Sequence, residues 1–214
     1  MKVKICGLKT LEEARAALEA GADLLGFNFY PSSPRYIPPA ACAKLVAALR
    51  AESCAARLVG VFVNASPDEI TAILDGCDLD LAQLSGDESP ETLNALGGRA
   101  YKALRPADAS ALALSLRQYP PAAAAPAWLV DAYRPGEYGG TGQSADWSLA
   151  RQLARQAPIL LAGGLTPDNV AAAVRQVRPW GVDVASGVES APGVKDPALV
   201  RAFIQAARGA AEEN

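Results

Sequence analysis

The sequence predicts an α/β fold of a single domain, residues 1–214, in which eight strand–helix units close into a barrel. Short apolar runs alternate without interruption with longer Ala/Leu-rich segments that have helical periodicity. The runs are apolar almost throughout, as in the strands of a parallel sheet that is buried on both faces. Eight units are the number in a TIM (β/α)8 barrel. An open doubly wound sheet is the alternative fold.

The predicted strands are short apolar runs that end at a small or polar residue. In chain order they span residues 3–6, 24–29, 58–64, 79–85, 100–104, 127–131, 159–162 and 182–185. Helix start signals lie between them, such as Thr10 ahead of Glu13, and a proline directly after Ser66 and after Thr166. The proline- and alanine-rich residues 120–126 precede the sixth strand, and we interpret them as a spacer loop at the bottom of the barrel.

The composition narrows the function classes. The net charge of −3 and the absence of Lys/Arg runs argue against nucleic acid or an anionic membrane as partner. No apolar run approaches the roughly 20 residues of a membrane span, and we expect no secretory signal. A small anionic substrate needs only a local positive potential, so a phosphorylated sugar is compatible. For the oligomeric state, we expect a monomer or a homodimer.

The cysteine and histidine counts restrict the chemistry further. The four cysteines form no CxxC pair, so we expect no disulfide framework and no zinc site, and a cytoplasmic location. The chain contains no histidine, which excludes Ser-His-Asp and Cys-His triads and histidine-ligated metal sites. Acid–base catalysis must therefore come from Asp, Glu, Cys, Lys or Tyr side chains.

Cys6 ends the first predicted strand, at the end of a parallel barrel where catalytic groups lie. We predict that it is a general base, whereas most free cysteines are small buried hydrophobic residues. Strand alternation places Lys4 on the same face as Cys6, and Asp183 faces inward on the eighth strand beside it. Lys4 and Asp183 are therefore expected to pair below Cys6, where the ammonium would stabilise a thiolate. Cys42, Cys54 and Cys77 receive no role.

Asp131 ends the sixth predicted strand and precedes a glycine-containing loop. Its carboxyl group should emerge at the barrel mouth, where burial would raise its pKa and let it donate a proton. A capping or salt-bridging aspartate is the alternative. One candidate acid and one candidate base at the same end of the barrel indicate proton-transfer chemistry.

Glycine-rich turns follow the last two strands and predict a phosphate site there. Backbone N–H groups in such turns bind phosphate, and barrels commonly bind it after strands seven and eight. The candidate phosphate-binding residues are Gly142, Gly163, Gly164, Ser186 and Gly187.

Further candidates surround the same mouth. Arg35 lies in a proline-framed loop after the second strand, where it either holds a substrate carboxylate or is a solvated surface arginine. Gln83 and Asp183 are candidates for substrate binding. Ser85 and Asn64 also end strands.

Together these motifs resemble the phosphoribosylanthranilate isomerase family of tryptophan biosynthesis, from Met1 to about Asp196. The motifs are Lys4-Ile5-Cys6-Gly7, residues 26–30 with Ser33-Pro34-Arg35-Tyr36, Val61-Phe62-Val63-Asn64, Asp131 with Gly139-Gly140-Thr141-Gly142, residues 161–170 and residues 181–189.

The resemblance implies an Amadori rearrangement of N-(5'-phosphoribosyl)anthranilate to 1-(o-carboxyphenylamino)-1-deoxyribulose 5-phosphate in a TIM barrel, without metal or organic cofactor. Cys6 would be the general base, Asp131 the general acid and Arg35 the partner of the anthranilate carboxylate. Two positions depart from the family: Ser85 replaces a usual histidine and Ala145 a usual aromatic residue.

Two alternatives remain. Another ribose-phosphate barrel, such as indole-glycerol-phosphate synthase, would need a catalytic lysine inside the barrel, for which Lys4 and Lys102 are the candidates. A non-catalytic phosphosugar-binding module is the second, and the presence of both Cys6 and Asp131 speaks against it.

Overall fold

The computed structural model describes residues 1–131 and 147–212, and its eight parallel strands form a closed barrel. The strands are β1 (Lys2–Cys6), β2 (Leu24–Asn28), β3 (Arg57–Phe62), β4 (Leu81–Leu84), β5 (Ala100–Leu104), β6 (Trp128–Val130), β7 (Ile159–Leu161) and β8 (Gly181–Val184). The barrel closes where β1 pairs with β8, with Lys4 opposite Asp183. This topology confirms the predicted TIM barrel and excludes the open doubly wound sheet.

In the described parts of the chain, eight α-helices follow the strands around the outside of the barrel. They are α1 (Leu11–Ala20), α2 (Pro39–Ala51), α3 (Pro67–Gly76), α4 (Pro90–Ala95), α5 (Ala109–Gln118), α6 (Trp147–Ala154), α7 (Val170–Val177) and α8 (Pro197–Glu212). Thr10 caps α1 in a capping box with Glu13, and the Ser66 hydroxyl caps α3, as the sequence predicts. Within the described ranges, none of the helices is long and apolar enough to cross a membrane.

One predicted helix start is wrong by three residues. The signal at Thr166-Pro167 is followed by a turn, and α7 begins only at Val170. The Asn169 side chain accounts for this turn, because its Oδ1 accepts from the Thr166 N–H (2.9 Å) and its Nδ2 donates to the Gly164 carbonyl (2.9 Å).

Two apolar clusters fill the molecule. The larger one lies between strands and helices. The smaller one, which we call the inner apolar layer, fills the barrel and consists of Leu24, Val59, Leu81, Tyr101, Ala103, Leu129, Leu160 and Ala162. Because strand residues alternate between faces, Tyr101 and Ala103 inside the barrel place Lys102 outside it.

Lys102 is therefore not an interior lysine, and that prediction is wrong. Its Nζ donates to the Glu88 carboxylate (2.6 Å) and to the Gly86 carbonyl (2.6 Å), and the pair is almost fully buried. A buried ammonium needs such partners. The lysine thus fixes the loop after β4, and the synthase alternative loses one of its two candidate lysines.

A short hairpin after β8 was not predicted. It follows a single 3₁₀ turn (Ser186–Val188) and consists of β9 (Glu189–Ala191) and β10 (Val194–Lys195). At the other end of the barrel, the Ala125 carbonyl accepts from Arg57 at the start of β3 (2.7 Å). Residues 120–126 therefore lie at the bottom, where the sequence placed the spacer loop.

Candidate functional site

Two adjoining pockets open at the carboxyl ends of the strands. The first is lined by Cys6, Asn28, Ser33, Arg35, Val61, Gln83, Ser85, Asp131, Asp183 and Ala185. The second is lined by Asp131, Ala162, Gly163, Gly164, Leu165, Asp183, Val184, Ala185, Ser186 and Gly187. Asp131 and Asp183 line both. The predicted site residues thus come together at the mouth, except for Gly142, which, like Ala145, lies outside the described residues.

Cys6 ends β1 with its thiol buried beside β2. A Cβ at Gly26 would lie 2.8 Å from the Cys6 Sγ, so glycine at that position leaves room for the thiol. Burial raises the pKa of the Cys6 thiol, while the Lys4 ammonium acts against that shift and the Asp183 carboxylate adds to it. The predicted ammonium is therefore present, but desolvation outweighs it, so the surroundings of Cys6 favour the neutral thiol.

Lys4 and Asp183 form the predicted ion pair below Cys6. Lys4 Nζ donates to Asp183 Oδ1 (2.8 Å) and to Gln83 Oε1 (2.8 Å), with the lysine side chain fully buried. Burial alone would lower the pKa of Lys4, yet the Asp183 carboxylate raises it above its ordinary value. Lys4 is thus a permanent cation, unsuited to proton transfer.

Gln83 extends this network toward the mouth. Its Oε1 also accepts from the Tyr101 hydroxyl (2.9 Å), and its Nε2 donates to the Ser85 hydroxyl (3.0 Å). Hydrogen bonds inside the barrel therefore hold the amide oriented. The other strand-end candidate, Asn64, is not brought into this pocket: its Oδ1 accepts from the Asp87 N–H (2.6 Å) in the neighbouring loop.

Asp131 follows β6 directly and is half-buried. Its backbone N–H donates to the Leu104 carbonyl (3.0 Å), which continues the pairing of β6 with β5 and fixes the start of the loop. Because it lines both pockets, Asp131 lies between the Cys6 side and the glycine turns.

The turns after β7 and β8 pack against each other. A Cβ at Gly187 would lie 1.9 Å from the Leu165 carbonyl oxygen, so no side chain fits there. Gly163 and Gly164 adopt left-handed conformations (φ 93° and 66°). The two turns and the Ser186 side of the 3₁₀ turn line the second pocket, which is small, polar and suited to an anion.

Arg35 is not a solvated surface arginine. Its Nε and Nη2 donate to the two carboxylate oxygens of Glu189 (2.7 and 2.8 Å), and its side chain is 13% exposed. Lys195 Nζ donates to Glu189 Oε1 as well (2.7 Å). No role was predicted for Glu189 and Lys195, because the hairpin that carries them was not predicted.

The remaining cysteines lie away from the mouth. Cys42 and Cys77 are buried near the outer helices, and burial raises the pKa of both thiols. Among the residues that the structure describes, no group of three or more His, Cys, Asp or Glu side chains is placed to hold a metal ion.

Comparison with known proteins gives a consistent family. The family model "N-(5'phosphoribosyl)anthranilate (PRA) isomerase" matches residues 3–206. The N-(5'-phosphoribosyl)anthranilate isomerase of Geotalea uraniireducens is 49% identical over 208 residues, covering 97% of this chain and 98% of the relative.

Solved structures agree. The phosphoribosyl anthranilate isomerase of Thermotoga maritima superimposes with a TM-score of 0.87 at 38% identity, covering 98% of this chain and 99% of that one. Another structure of a phosphoribosyl anthranilate isomerase, in complex with reduced 1-(o-carboxyphenylamino)-1-deoxyribulose 5-phosphate, has a TM-score of 0.84 at 35% identity with the same coverage. A further Thermotoga maritima structure (TM-score 0.83, 35% identity, again 98% and 99%) shows monomers generated from a dimeric enzyme.

Proposed function

We propose that this chain, which belongs to the N-(5'-phosphoribosyl)anthranilate isomerase family, uses Cys6 as its general base and Asp131 as its general acid. It converts N-(5'-phosphoribosyl)anthranilate into 1-(o-carboxyphenylamino)-1-deoxyribulose 5-phosphate in tryptophan biosynthesis. The observation that carries the proposal is the convergence of Cys6 and Asp131 on one pocket at the barrel mouth, beside a second pocket formed by glycine turns. Acid–base groups that face a shared site are what an intramolecular proton-transfer reaction needs.

The chemistry requires two proton transfers at different atoms. Asp131 protonates the ribose ring oxygen, the bond from that oxygen to C1 breaks, and the ring opens to an iminium ion. The Cys6 thiolate then removes the proton from C2, which gives an enolamine. Protonation of C1 and loss of the hydroxyl proton at C2 yield the ketone, so C1 is reduced, C2 is oxidised and no external electron acceptor takes part.

The active form holds its proton on Asp131 and its negative charge on Cys6. Burial opposes this distribution by raising the pKa of the thiol, whereas the ammonium groups of Lys4 and Lys195 both favour the thiolate. The two cations thus act against the effect of burial, which still raises the pKa of the thiol above its ordinary value. Lys195 therefore assists the base without contacting the reacting atoms.

We place the substrate phosphate in the second pocket, on Gly163, Gly164, Ser186 and Gly187. Backbone N–H groups of tight turns bind phosphate without a full positive charge, which suits this small polar pocket. With the phosphate in the second pocket, the ribose carbons would lie beside Asp131, which lines both pockets, and the aryl ring would lie in the first pocket.

We place the anthranilate carboxylate on Arg35. Two of its five N–H groups bind Glu189, which leaves three for a ligand. Asp183 lines both pockets, where its carboxylate can accept from ribose hydroxyl groups, and Gln83 lines the first. These contacts support substrate-binding roles for both side chains.

Assembly and location are also part of the proposal. A monomer or a homodimer is proposed, since a Thermotoga maritima phosphoribosyl anthranilate isomerase is dimeric. Sedimentation of the purified protein decides between them. A cytoplasmic location agrees with four free cysteines and a substrate from primary metabolism.

The first experiment mixes the purified protein with N-(5'-phosphoribosyl)anthranilate generated in place and follows the loss of its anthranilate-type fluorescence. We expect faster loss than without protein, with 1-(o-carboxyphenylamino)-1-deoxyribulose 5-phosphate recovered. Loss at the uncatalysed rate would contradict the activity itself.

A further inference from the structure

Glu189 lies at the centre of a buried charge cluster, and the acid–base mechanism assigns Glu189 itself no role. Its carboxylate accepts from Arg35 Nε and Nη2, from Lys195 Nζ and from the Gly193 N–H (3.1 Å). The side chains of Glu189 and Lys195 are almost fully buried. Lys195 is also fixed from its other side, since its Nζ donates to the Ala185 carbonyl (2.9 Å).

The cluster has a net positive charge that faces the mouth. Two cations share one carboxylate, and of the three side chains only Arg35 lines the pocket that also holds Cys6. Burial of an unbalanced charge is costly unless a ligand or solvent compensates it. The surplus charge therefore creates a site for an anion in direct reach of Arg35.

The hairpin that carries Glu189 is packed against the loop that carries Arg35. A Cβ at Gly193 would lie 2.4 Å from the Pro34 carbonyl oxygen, so the hairpin turn approaches the loop as closely as glycine permits. Lys9 Nζ donates to the same carbonyl (3.2 Å). The Lys195 N–H donates to Glu13 Oε1 (3.0 Å), which ties the hairpin to α1.

We propose that Glu189 is a positioning residue, which holds the Arg35 guanidinium so that its remaining donors meet the substrate's aryl carboxylate. The proposal rests on the assignment of Arg35 to that carboxylate in the proposed function. A planar guanidinium held at two N–H groups keeps the other three in a fixed plane. The carboxylate then anchors the aryl end at a set distance from Cys6, which aligns C2 with the base.

The test compares two ligands that differ only in the group that Arg35 binds. One is reduced 1-(o-carboxyphenylamino)-1-deoxyribulose 5-phosphate, and the other is the same molecule without the aryl carboxylate. Dissociation constants are measured by calorimetry for the unaltered protein and for Arg35→Ala, Glu189→Gln and the double variant. Glu52→Gln is the matched control, because Glu52 also accepts from an arginine fork, that of Arg15, but on the exposed surface.

For Glu189→Gln we expect affinity for the carboxylate ligand to fall about tenfold or more, and affinity for the truncated ligand to change by less than about twofold. The double variant should bind the carboxylate ligand no more weakly than Arg35→Ala alone. Glu52→Gln should bind both ligands normally. If Glu189→Gln does not fold, Glu189→Asp retains the charge but reaches less far, and the same selective loss is expected.

The possible outcomes distinguish the positioning role of Glu189 from the assignment of Arg35 to the aryl carboxylate. Arg35→Ala without a selective loss would overturn the carboxylate assignment itself. A selective loss in Arg35→Ala, together with unchanged binding in the Glu189 variants, would overturn only the positioning role. The positioning role would also be overturned if Glu189→Gln lowered the affinity for both ligands equally. Such a result would indicate a general disturbance of the mouth, which does not discriminate between ligands with and without the aryl carboxylate.

Discussion

The inner apolar layer and the mouth are built from the same strands but from different chemistry. Strand β6 supplies Leu129 to the layer, and Asp131 follows two residues later at the mouth. Strand β4 does the same with Leu81 in the layer, followed by Gln83 and Ser85. Two residues along a strand return to the same face, so one alternation serves both regions. On each of these two strands, the residue that packs in the inner apolar layer is therefore about two positions before the residue that lines the mouth.

The difference between the regions also explains where charge can be buried. Lys4 and Asp183 lie between the layer and the mouth, each paired with the other, so neither is an isolated charge in an apolar interior. Substitutions in the two regions should consequently have opposite signatures: loss of turnover at the mouth and loss of folding free energy in the layer.

Cys6→Ala should have the largest effect on activity, and it should lower kcat without destabilising the fold. Removal of the general base should lower kcat by about 10²-fold or more, because such a group contributes about 10²–10⁴-fold. The thermal midpoint should barely change. Fluorescence assays and thermal unfolding of Cys6→Ala measure both quantities, with Cys54→Ala as the control cysteine, which lies outside the pocket. Near-normal turnover would remove the role of Cys6.

Asp131→Asn should lower kcat by about 10²-fold or more as well, because the amide has no proton to give to the ring oxygen. The amide has the same shape, so unfolding in urea should be nearly unchanged. Asp68→Asn, on the exposed first turn of α3, is the matched control. If Asp131→Asn turns over substrate as fast as this control, another group is the acid.

Leu129→Ala should produce the opposite signature in the inner apolar layer. Truncation of this fully buried leucine should destabilise the fold by about 2–5 kcal/mol, because it removes apolar contacts and leaves a cavity. The folded fraction should retain its kcat/KM. Urea unfolding and kinetics at low temperature test both expectations. A loss of kcat comparable to that of Cys6→Ala would contradict the separate roles of the inner apolar layer and the mouth.

Arg35→Ala should have a smaller effect that falls mainly on KM. A lost hydrogen bond to a charged group costs about 1.5–3 kcal/mol, so KM should rise about 10- to 100-fold if the carboxylate is bound equally in ground and transition states. Steady-state kinetics measures the split. A change in kcat alone would contradict the assignment.

The barrel was predictable because strands buried on both faces leave a strong apolar signal. All eight strands were placed within about two residues of their observed ends, and the Lys4–Asp183 pair followed from alternation plus closure of the barrel. Cys6 and Asp131 were found because both end such strands.

The missed features depend on long-range contacts or on very short elements. The two-way interpretation of Arg35 was resolved by Glu189, which lies 154 residues away in the sequence and in a hairpin with strands of three and two residues. Lys102 was misplaced because only the observed register shows that its neighbour Tyr101 faces inward. The direction of the Cys6 pKa shift depends on its burial, which outweighs the ammonium beside it.

The pH dependence of the residual kcat/KM of Asp131→Asn tests the central claim most directly, because only Cys6 of the proposed pair can still titrate. Burial raises the pKa of that thiol above its ordinary value of 9.0, so its thiolate fraction increases throughout the neutral range. We predict that the residual kcat/KM rises about tenfold per pH unit from about pH 7 to about pH 9, and that the rise disappears when Cys6→Ala is added. A flat profile in Asp131→Asn would contradict Cys6 as the general base.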